Sequence, residues 1–291
     1  MIMKSLFLTF GDGSAEFRAA ALRLAGQAKS IGVFSSVVSL NHESLLQVSS
    51  EYALAQSSII NLDSYPRLFR AAKAWVVQAG LMGKFGEFDL VCYADAGCEI
   101  ISNQITRFVL RKNIQRAFYY GGMAEQTLHA ERNWTKKRTL GYFECSMAHS
   151  LSGQIASTLS YWRVNSQSIE ISNKWCMLSD YKLDLWQDPK NRDEEEDYFM
   201  AHRHDQSIFS LLWKQAELPV TPLYEQFNNR LGGIRIACIP INVIRNRTGT
   251  SKIPKASKSI FVAFLGLILN LLGRYKPDRH FLTNLHLTKR R

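Results

Sequence analysis

The chain has 291 residues, 46% hydrophobic and 21% charged, with 17 Gly and 7 Pro, a globular composition that excludes disordered, collagenous and disulfide-stapled classes. That length closes a sizeable core, as one large domain or one domain with an appendage. The net charge of +11 sits at one end: residues 229–291 carry 13 Lys and Arg against one acid, Asp278, whereas residues 1–228 sum to −1, which excludes a nucleic-acid-binding core with its basic footprint on the folded body.

Taken in chain order, residues 4–10 (KSLFLTF) read as a buried strand closed by the turn Gly11-Asp12-Gly13. Ser14 stands where a helix N-cap belongs, and Phe17, Ala20, Ala21, Leu24, Ala25 and Ala28 follow at three-and-four spacing until Gly32 ends the pattern. The apolar run at 6–10 is too short for a signal peptide and has no cleavage site after it, so the reading is of a protein that is not secreted. A second strand is expected at 33–40, a helix opened by Pro66 and running to about Met82, and a third strand at 89–93 that ends in Ala94-Asp95-Ala96-Gly97-Cys98-Glu99. Beyond it, 117–120 read as a strand, 134–143 as a short helix, 154–163 as a strand, and 166–178 and 206–215 as helices.

Strands alternating with helices predict an α/β sheet of largely parallel character, whose ligands bind at the carboxyl ends of the strands. Gly11-Asp12-Gly13 and Asp95-Ala96-Gly97 both follow such ends, so they are expected to face one crevice. The run 193–197 (DEEED) reads as a solvated loop. Residues 234–244 read as an apolar strand, 245–258 as a basic stretch, and 260–273 (IFVAFLGLILNLLG) carry no charge. Five cysteines, Cys92, Cys98, Cys145, Cys176 and Cys238, are odd in number, with no CxxC pair. That argues against a disulfide framework or a thiolate zinc site and fits a reducing cytoplasm.

Three clusters carry chemistry. Asp95 at a strand end, with Gly97 two positions on and Glu99 four on, has the residues for a divalent cation and a diphosphate; capping of the next helix by Asp95 is the alternative. His202-Arg203-His204-Asp205-Gln206 gathers potential metal ligands, a cation, a carboxylate and a carboxamide ahead of an apolar helix, more polar groups than a cap needs. Trp134-Thr135-Lys136 offers a ring for stacking and an ammonium for phosphate, or else a core tryptophan beside solvated lysine. P-loop, GxGxxG, GxSxG and HExxH patterns are missing.

Val91-Cys92-Tyr93-Ala94-Asp95-Ala96-Gly97-Cys98-Glu99 and His202-Arg203-His204-Asp205-Gln206-Ser207-Ile208-Phe209-Ser210-Leu211-Leu212 resemble the motifs of bacterial GT-A-like glycosyltransferases of surface polysaccharide (capsule, O-antigen, lipopolysaccharide) biosynthesis. Phe10-Gly11-Asp12-Gly13-Ser14 and the Glu131, Trp134, Thr135, Lys136 cluster also look like that family, so the resemblance spans roughly residues 4–216. It implies a GT-A-like mixed sheet flanked by helices and a hexosyltransferase-like enzyme. A nucleotide-sugar donor would be held by Phe10, Gly11, Asp12, Gly13, Lys73, Asp95, Ala96, Gly97, Trp134, Lys136 and Arg203, with Asp205 and Gln206 catalytic. It further implies Mn2+ or Mg2+ on Asp95, His202 and His204. The chain departs from a full Asp-x-Asp, with Gly97 in the second place, and Lys73 lacks the Trp-Lys-Pro setting, being flanked by Ala72 and Ala74.

The domain reading is 1–244 as the glycosyltransferase-like body and 245–291 as a basic, apolar tail. As a helix, 260–273 would span about 21 Å at about 1.5 Å per residue, short of the roughly 30 Å hydrocarbon core. It is expected to lie in the membrane interface, flanked by Lys252, Lys255, Lys258, Arg274, Lys276 and Arg279, or else to pack as a core helix. The expectation is thus a cytoplasmic enzyme, peripheral on the inner face of the plasma membrane and taking a glycan or lipid-linked saccharide acceptor, with no nucleic-acid partner. A non-catalytic nucleotide-sugar or glycan-binding protein is the alternative.

Overall fold

The structure, a computed structural model, describes residues 3–59, 65–222, 241–243 and 249–250. It opens with β1 (Ser5–Phe10), α1 (Ala15–Ile31), β2 (Ser36–Leu40), α2 (His42–Val48), α3 (Ser50–Ile59), α4 (Tyr65–Leu81) and β3 (Leu90–Ala94). The middle holds β4 (Cys98–Ile100), α5 (Gln104–Tyr120), β5 (Gly122–Ala130), the short helices α6 (Glu131–Trp134), α7 (Lys137–Tyr142) and α8 (Met147–Leu151), and the long β6 (Gly153–Arg163). Then come α9 (Ser166–Tyr181), α10 (Leu183–Trp186), α11 (His204–Gln215), β7 (Val220–Pro222) and β8 (Ile241–Val243).

Local chemistry places the first elements. The Ser14 hydroxyl accepts the Phe17 N–H at the start of α1, and Gly32, at φ 62°, ends it in the left-handed conformation that glycine adopts at least cost. Gly11 is a close-approach position: a Cβ there would lie 2.3 Å from the Phe17 carbonyl oxygen and 2.7 Å from the Ala21 Cβ.

The chain is an α/β protein built on one mixed six-stranded sheet of order β2-β1-β3-β6-β5-β7. β1 pairs in parallel with β2 and β3, and β5 with β7, while β6 runs antiparallel to both β3 and β5. The reversed β6 corrects the largely parallel sheet to a mixed one. Side-chain alternation along the strands divides the core. Leu6, Leu8, Val91, Tyr93, Ile155 and Trp162 face α4, α9 and α11, whereas Phe7, Leu90, Cys92, Leu159 and Tyr161 face α1 and α5. The result is three layers, with helices on both faces of the sheet.

Two expectations are corrected here. Residues 117–120 are the last turn of α5, because Asn103 caps that helix and Val109, Leu110, Ile114 and Ala117 bury one face of it; Tyr119 and Tyr120 are exposed. The strand follows instead as β5, after Gly121. The helix expected from Gln206 begins two residues earlier, at His204. Residues 193–197 are largely exposed, as a solvated loop should be. Of the strand expected at 234–244, β8 lies within the described residues; it pairs antiparallel with β4, and Ile241 joins the core at 1% exposure. The basic stretch and the 260–273 segment lie outside the described residues, residues 249–250 excepted. Among the described residues no helix is long and apolar enough to cross a membrane.

Candidate active site

Alternation on β3 and helical spacing on α4 bring the first two site residues together. Tyr93 faces the α4 side of the sheet, so Asp95, two positions on and just past the strand end, falls on the same side. On α4, Lys73, Val76, Val77 and Gly80 lie at positions i, i+3, i+4 and i+7, one stripe against the sheet. Gly80 lets the helix approach closely: a Cβ there would sit 2.7 Å from Leu8 Cδ1 and 3.1 Å from Val91 Cγ1. Two turns back toward the helix N-terminus, Lys73 arrives at the carboxyl edge of the strands, with Nζ 3.0 Å from Asp95 Oδ1.

The third element is α11. Asp205 lies in its first turn and places Oδ2 3.0 Å from the same Lys73 Nζ. It follows His204, whose φ of 45° is a left-handed value uncommon for a side-chain-bearing residue, and the His204 ring is tied down by Nδ1 at 2.6 Å from the Trp186 carbonyl. The fourth element is an irregularity in β6. The β5 register jumps between Ala124, opposite Ser160, and Glu125, opposite Ala156, so residues 157–159 bulge from the ladder. Ser157 there accepts from Lys73 Nζ at 3.1 Å and donates to Asp205 Oδ2 at 3.1 Å. Tyr93 closes the cluster by donating its hydroxyl to Asp95 Oδ1 at 2.9 Å.

Lys73, Tyr93, Asp95, Ser157 and Asp205 thus meet at the carboxyl end of β3. The Lys73 side chain is 11% exposed, that of Asp205 15% and that of Asp95 34%, so the carboxylates, Asp95 foremost, are the part open to solvent. Burial works against the Lys73 charge, but Asp205 and then Asp95 outweigh it and hold the ammonium above its ordinary range. Burial pushes the Asp95 carboxyl above the usual aspartate value, Lys73 opposing that rise and the neighbouring Asp205 adding to it. The Tyr93 hydroxyl is held well up by burial and by Asp95.

Gln206 enters the site through a second, buried network. Its Nε2 donates to Gln154 Oε1 at 2.6 Å, and Gln154 Nε2 donates to Glu131 Oε1 at 3.1 Å. A carboxylate only accepts, so the Gln154 amide has one orientation, and Gln206 must offer its own N–H to it. Glu131, fully buried, also accepts from Thr135 at 2.6 Å, from Lys214 Nζ at 2.8 Å and from the Ser210 hydroxyl.

The remaining expected residues are placed differently. Phe10 is core, 8% exposed, and Gly11 packs against α1. The Asp12 carboxylate is occupied by the N–H groups of His42 at 2.6 Å and Gly13 at 2.7 Å, which lock the turns after β1 and β2 together. Ala96 packs on Ala20 and Ala21, and its carbonyl, like that of Cys98, accepts from Arg23 at 2.9 and 2.8 Å. Gly97 follows in that turn, and it is Asp205, 110 positions beyond Asp95, that brings a second carboxylate to Asp95's neighbourhood. Glu99, fully buried, acts electrostatically on Arg23. Lys136 turns inward: it is 4% exposed and its ammonium donates to the carbonyls of Asp184 and Gln187, in and just after α10. Half-buried Trp134 carries the Arg203 guanidinium 4.1 Å over its ring, with the His129 ring 5.2 Å away.

The expected metal ligands do not converge either. His202 is 3% exposed, with Nε2 on the Leu185 carbonyl at 2.8 Å and Nδ1 accepting the Lys136 N–H at 3.4 Å. His204 turns to Trp186 and, at 3.8 Å, to Asp188. Among the described residues no group of three or more His, Cys, Asp or Glu could hold a metal ion. The donor set Asp95, His202 and His204 therefore does not fit Mn2+ or Mg2+, and the space between Asp95 and Asp205 is filled by the Lys73 ammonium. Ser157 and Gln154 carried no sequence motif; the one signal for Ser157 is its place two residues from Ile155, on the same strand face.

No protein-family model matches the chain, and no curated protein matches it. Among solved structures it is similar to a glycosyltransferase involved in glycosylation of the major capsid of PBCV-1, at 11% identity and TM-score 0.36 over 61% of this chain and 67% of that one. It is similar to mouse xyloside xylosyltransferase 1, at 10% identity and TM-score 0.40 over 76% and 85%. It is also similar to the glycosyltransferase GlyE of Streptococcus pneumoniae TIGR4, at 12% identity and TM-score 0.39, where 97% of this chain covers 62% of that one. At these TM-scores the functional argument rests on the site's own residues.

Proposed function

We propose that the protein is a glycosyltransferase of GT-A-like architecture, moving a sugar, hexose-like in size, from a nucleotide-sugar donor to a glycan acceptor. One observation carries the reading: Asp95 and Asp205, both within sequences resembling glycosyltransferase motifs, converge on Lys73 at the carboxyl end of β3, where ligands of such sheets bind. In the transfer, an acceptor hydroxyl bonds to the anomeric carbon and gives up its proton, to the Asp205 carboxylate or to the departing diphosphate oxygen, as the bond to that oxygen breaks. The sugar gains positive character and the diphosphate negative charge. Asp95 and Asp205 supply the negative charge that faces the sugar, and the buried Lys73 ammonium is the fixed positive charge beside them. Asp205 and the oriented amide of Gln206 lie together in the first turn of α11 and hold donor sugar or acceptor hydroxyl groups.

The acceptor in this reading is a lipid-linked saccharide of a surface polysaccharide, reached at an anionic inner membrane face through the basic, apolar tail. What supports it is the charge of residues 229–291 and the uncharged 260–273 segment. Purified protein is incubated with UDP-, GDP-, CMP- and dTDP-sugars, and nucleotide release is followed. Release from one donor, lost in Asp95→Asn and reduced at least about 100-fold in Asp205→Asn, is the expected result. No release and no donor-induced thermal shift would favour a non-catalytic glycan-binding protein. Vesicle flotation with and without anionic lipid checks the membrane role: flotation lost on deleting 251–291 is expected.

A further inference from the structure

We propose that the Lys73 ammonium is the resident cation of this site, standing where a divalent metal would otherwise bridge Asp95 and Asp205, so that the protein's chemistry there needs no bridging metal ion. The inference rests on the glycosyl-transfer reading for its catalytic consequence but not for its geometry. An ammonium has three N–H groups, and here each finds an acceptor: Asp95 at 3.0 Å, Asp205 at 3.0 Å and Ser157 at 3.1 Å. The carboxylates in turn spend further acceptor sites on protein donors, Asp95 on the Tyr93 hydroxyl and Asp205 on the Ser157 hydroxyl. A hard cation takes carboxylate and hydroxyl oxygens of this kind, and a lysine nitrogen occupies the point on which they converge.

The lysine is built into that place. Its residue is 9% exposed, its neighbours Ala72, Ala74, Val76 and Val77 are buried, and Gly80 holds α4 against β1 and β3 so that the stem cannot retreat from the strand edge. The Tyr93 ring, 5.8 Å from Nζ, closes another side. The histidines that would complete a metal site are engaged with backbone groups at 185 and 186. Removing the ammonium while keeping both carboxylates and Ser157 therefore converts the site into one that admits a divalent ion.

Mn2+ binding to the full chain, read as loss of the free-ion electron paramagnetic resonance signal, tests this. The proteins compared are wild type, Asp205→Asn, Lys73→Ala and Lys73→Ala combined with Asp205→Asn. Wild type and Asp205→Asn are expected to bind equally. Lys73→Ala is expected to gain one further site, its affinity falling by about 10-fold or more when Asp205 is also Asn. Wild-type binding that Asp205→Asn removes would overturn the proposal, as would a folded Lys73→Ala protein that gains no site. Lys73→Met serves in the same role if the alanine protein does not fold, and the wild-type comparison needs neither. Donor turnover that survives EDTA is the matching kinetic result and turnover abolished by EDTA the contrary one; absence of turnover from every donor counts against the transferase reading and leaves the Mn2+ comparison to decide this one.

Discussion

Two buried lysines among the described residues each meet carboxylate at close range, and the difference between them separates site from scaffold. Lys214 and Glu131 are paired at 2.8 Å with side chains 5% and 0% exposed, sealed between α11, α6 and β6. Lys73 is as tightly paired, but its partners Asp95 and Asp205 are 34% and 15% exposed. The sealed pair is fully compensated by the protein itself: Glu131 accepts from Lys214, Ser210, Thr135 and Gln154, and Lys214 also donates to the His149 carbonyl. Nothing outside can exchange with it. At the open pair a ligand can, and α11 carries one member of each, Asp205 at its start and Lys214 near its end.

Perturbing the open pair is expected to give the largest effect. Asp205→Asn keeps the shape and removes a charge, so nucleotide release should fall by about 10²–10⁴-fold, and the melting temperature should fall as well, since Lys73 keeps only Asp95 as a charged partner. The sealed pair should respond in the opposite sense: Lys214→Met strands the Glu131 charge and is expected to cost about 3–5 kcal/mol of stability, measured by denaturant unfolding, with activity per folded molecule moving far less. Gln154→Leu cuts the link between the two regions. It is expected to lower kcat by about 10-fold through a misoriented Gln206, with KM for the donor moving less, which steady-state kinetics separates.

The smallest effect is one of pH. Burial raises Asp95 above its unfolded value, so the folded protein takes up that proton more readily than the unfolded chain, and this group favours the fold as pH falls through its folded value and disfavours it as pH rises. Melting curves of wild type and Asp95→Asn should therefore converge toward acid pH, while the acid limb of activity lies above the ordinary carboxylate range. Lys73, also raised in the folded state, has the same sign in a different window: its contribution is complete below the unfolded lysine value and is lost only in alkali.

Much of the first half was legible because each signal was local. β1 and β3 are short, mostly apolar runs buried along their whole length, and Ser14 and Gly32 mark both ends of α1. β5 was hidden because its sequence, GMAEQTLHA, mixes polar and apolar residues and only partly buries its second half, while the aromatic 118–120 before it imitated a strand at a helix end. Asp95 and Asp205 stood out by their motifs, but their meeting through Lys73 depends on a helix stripe, a strand alternation and a β6 bulge acting together. The inward position of Lys136 was hidden for a related reason. Its sequence neighbourhood shows an exposed basic patch at Lys137 and Arg138, and only tertiary packing turns Lys136 inward.

The pairing of β8 with β4 sets a practical limit on shortening the chain. β4 begins three residues after Asp95, and its ladder partner is 241–243, whose Ile241 is seated in the core. A protease cut or stop codon after Val243 leaves that ladder whole and sheds most of the basic tail, whereas one before Ile241 strips an edge from the turn bearing Asp95. Trimming for crystallisation should therefore spare everything through position 243.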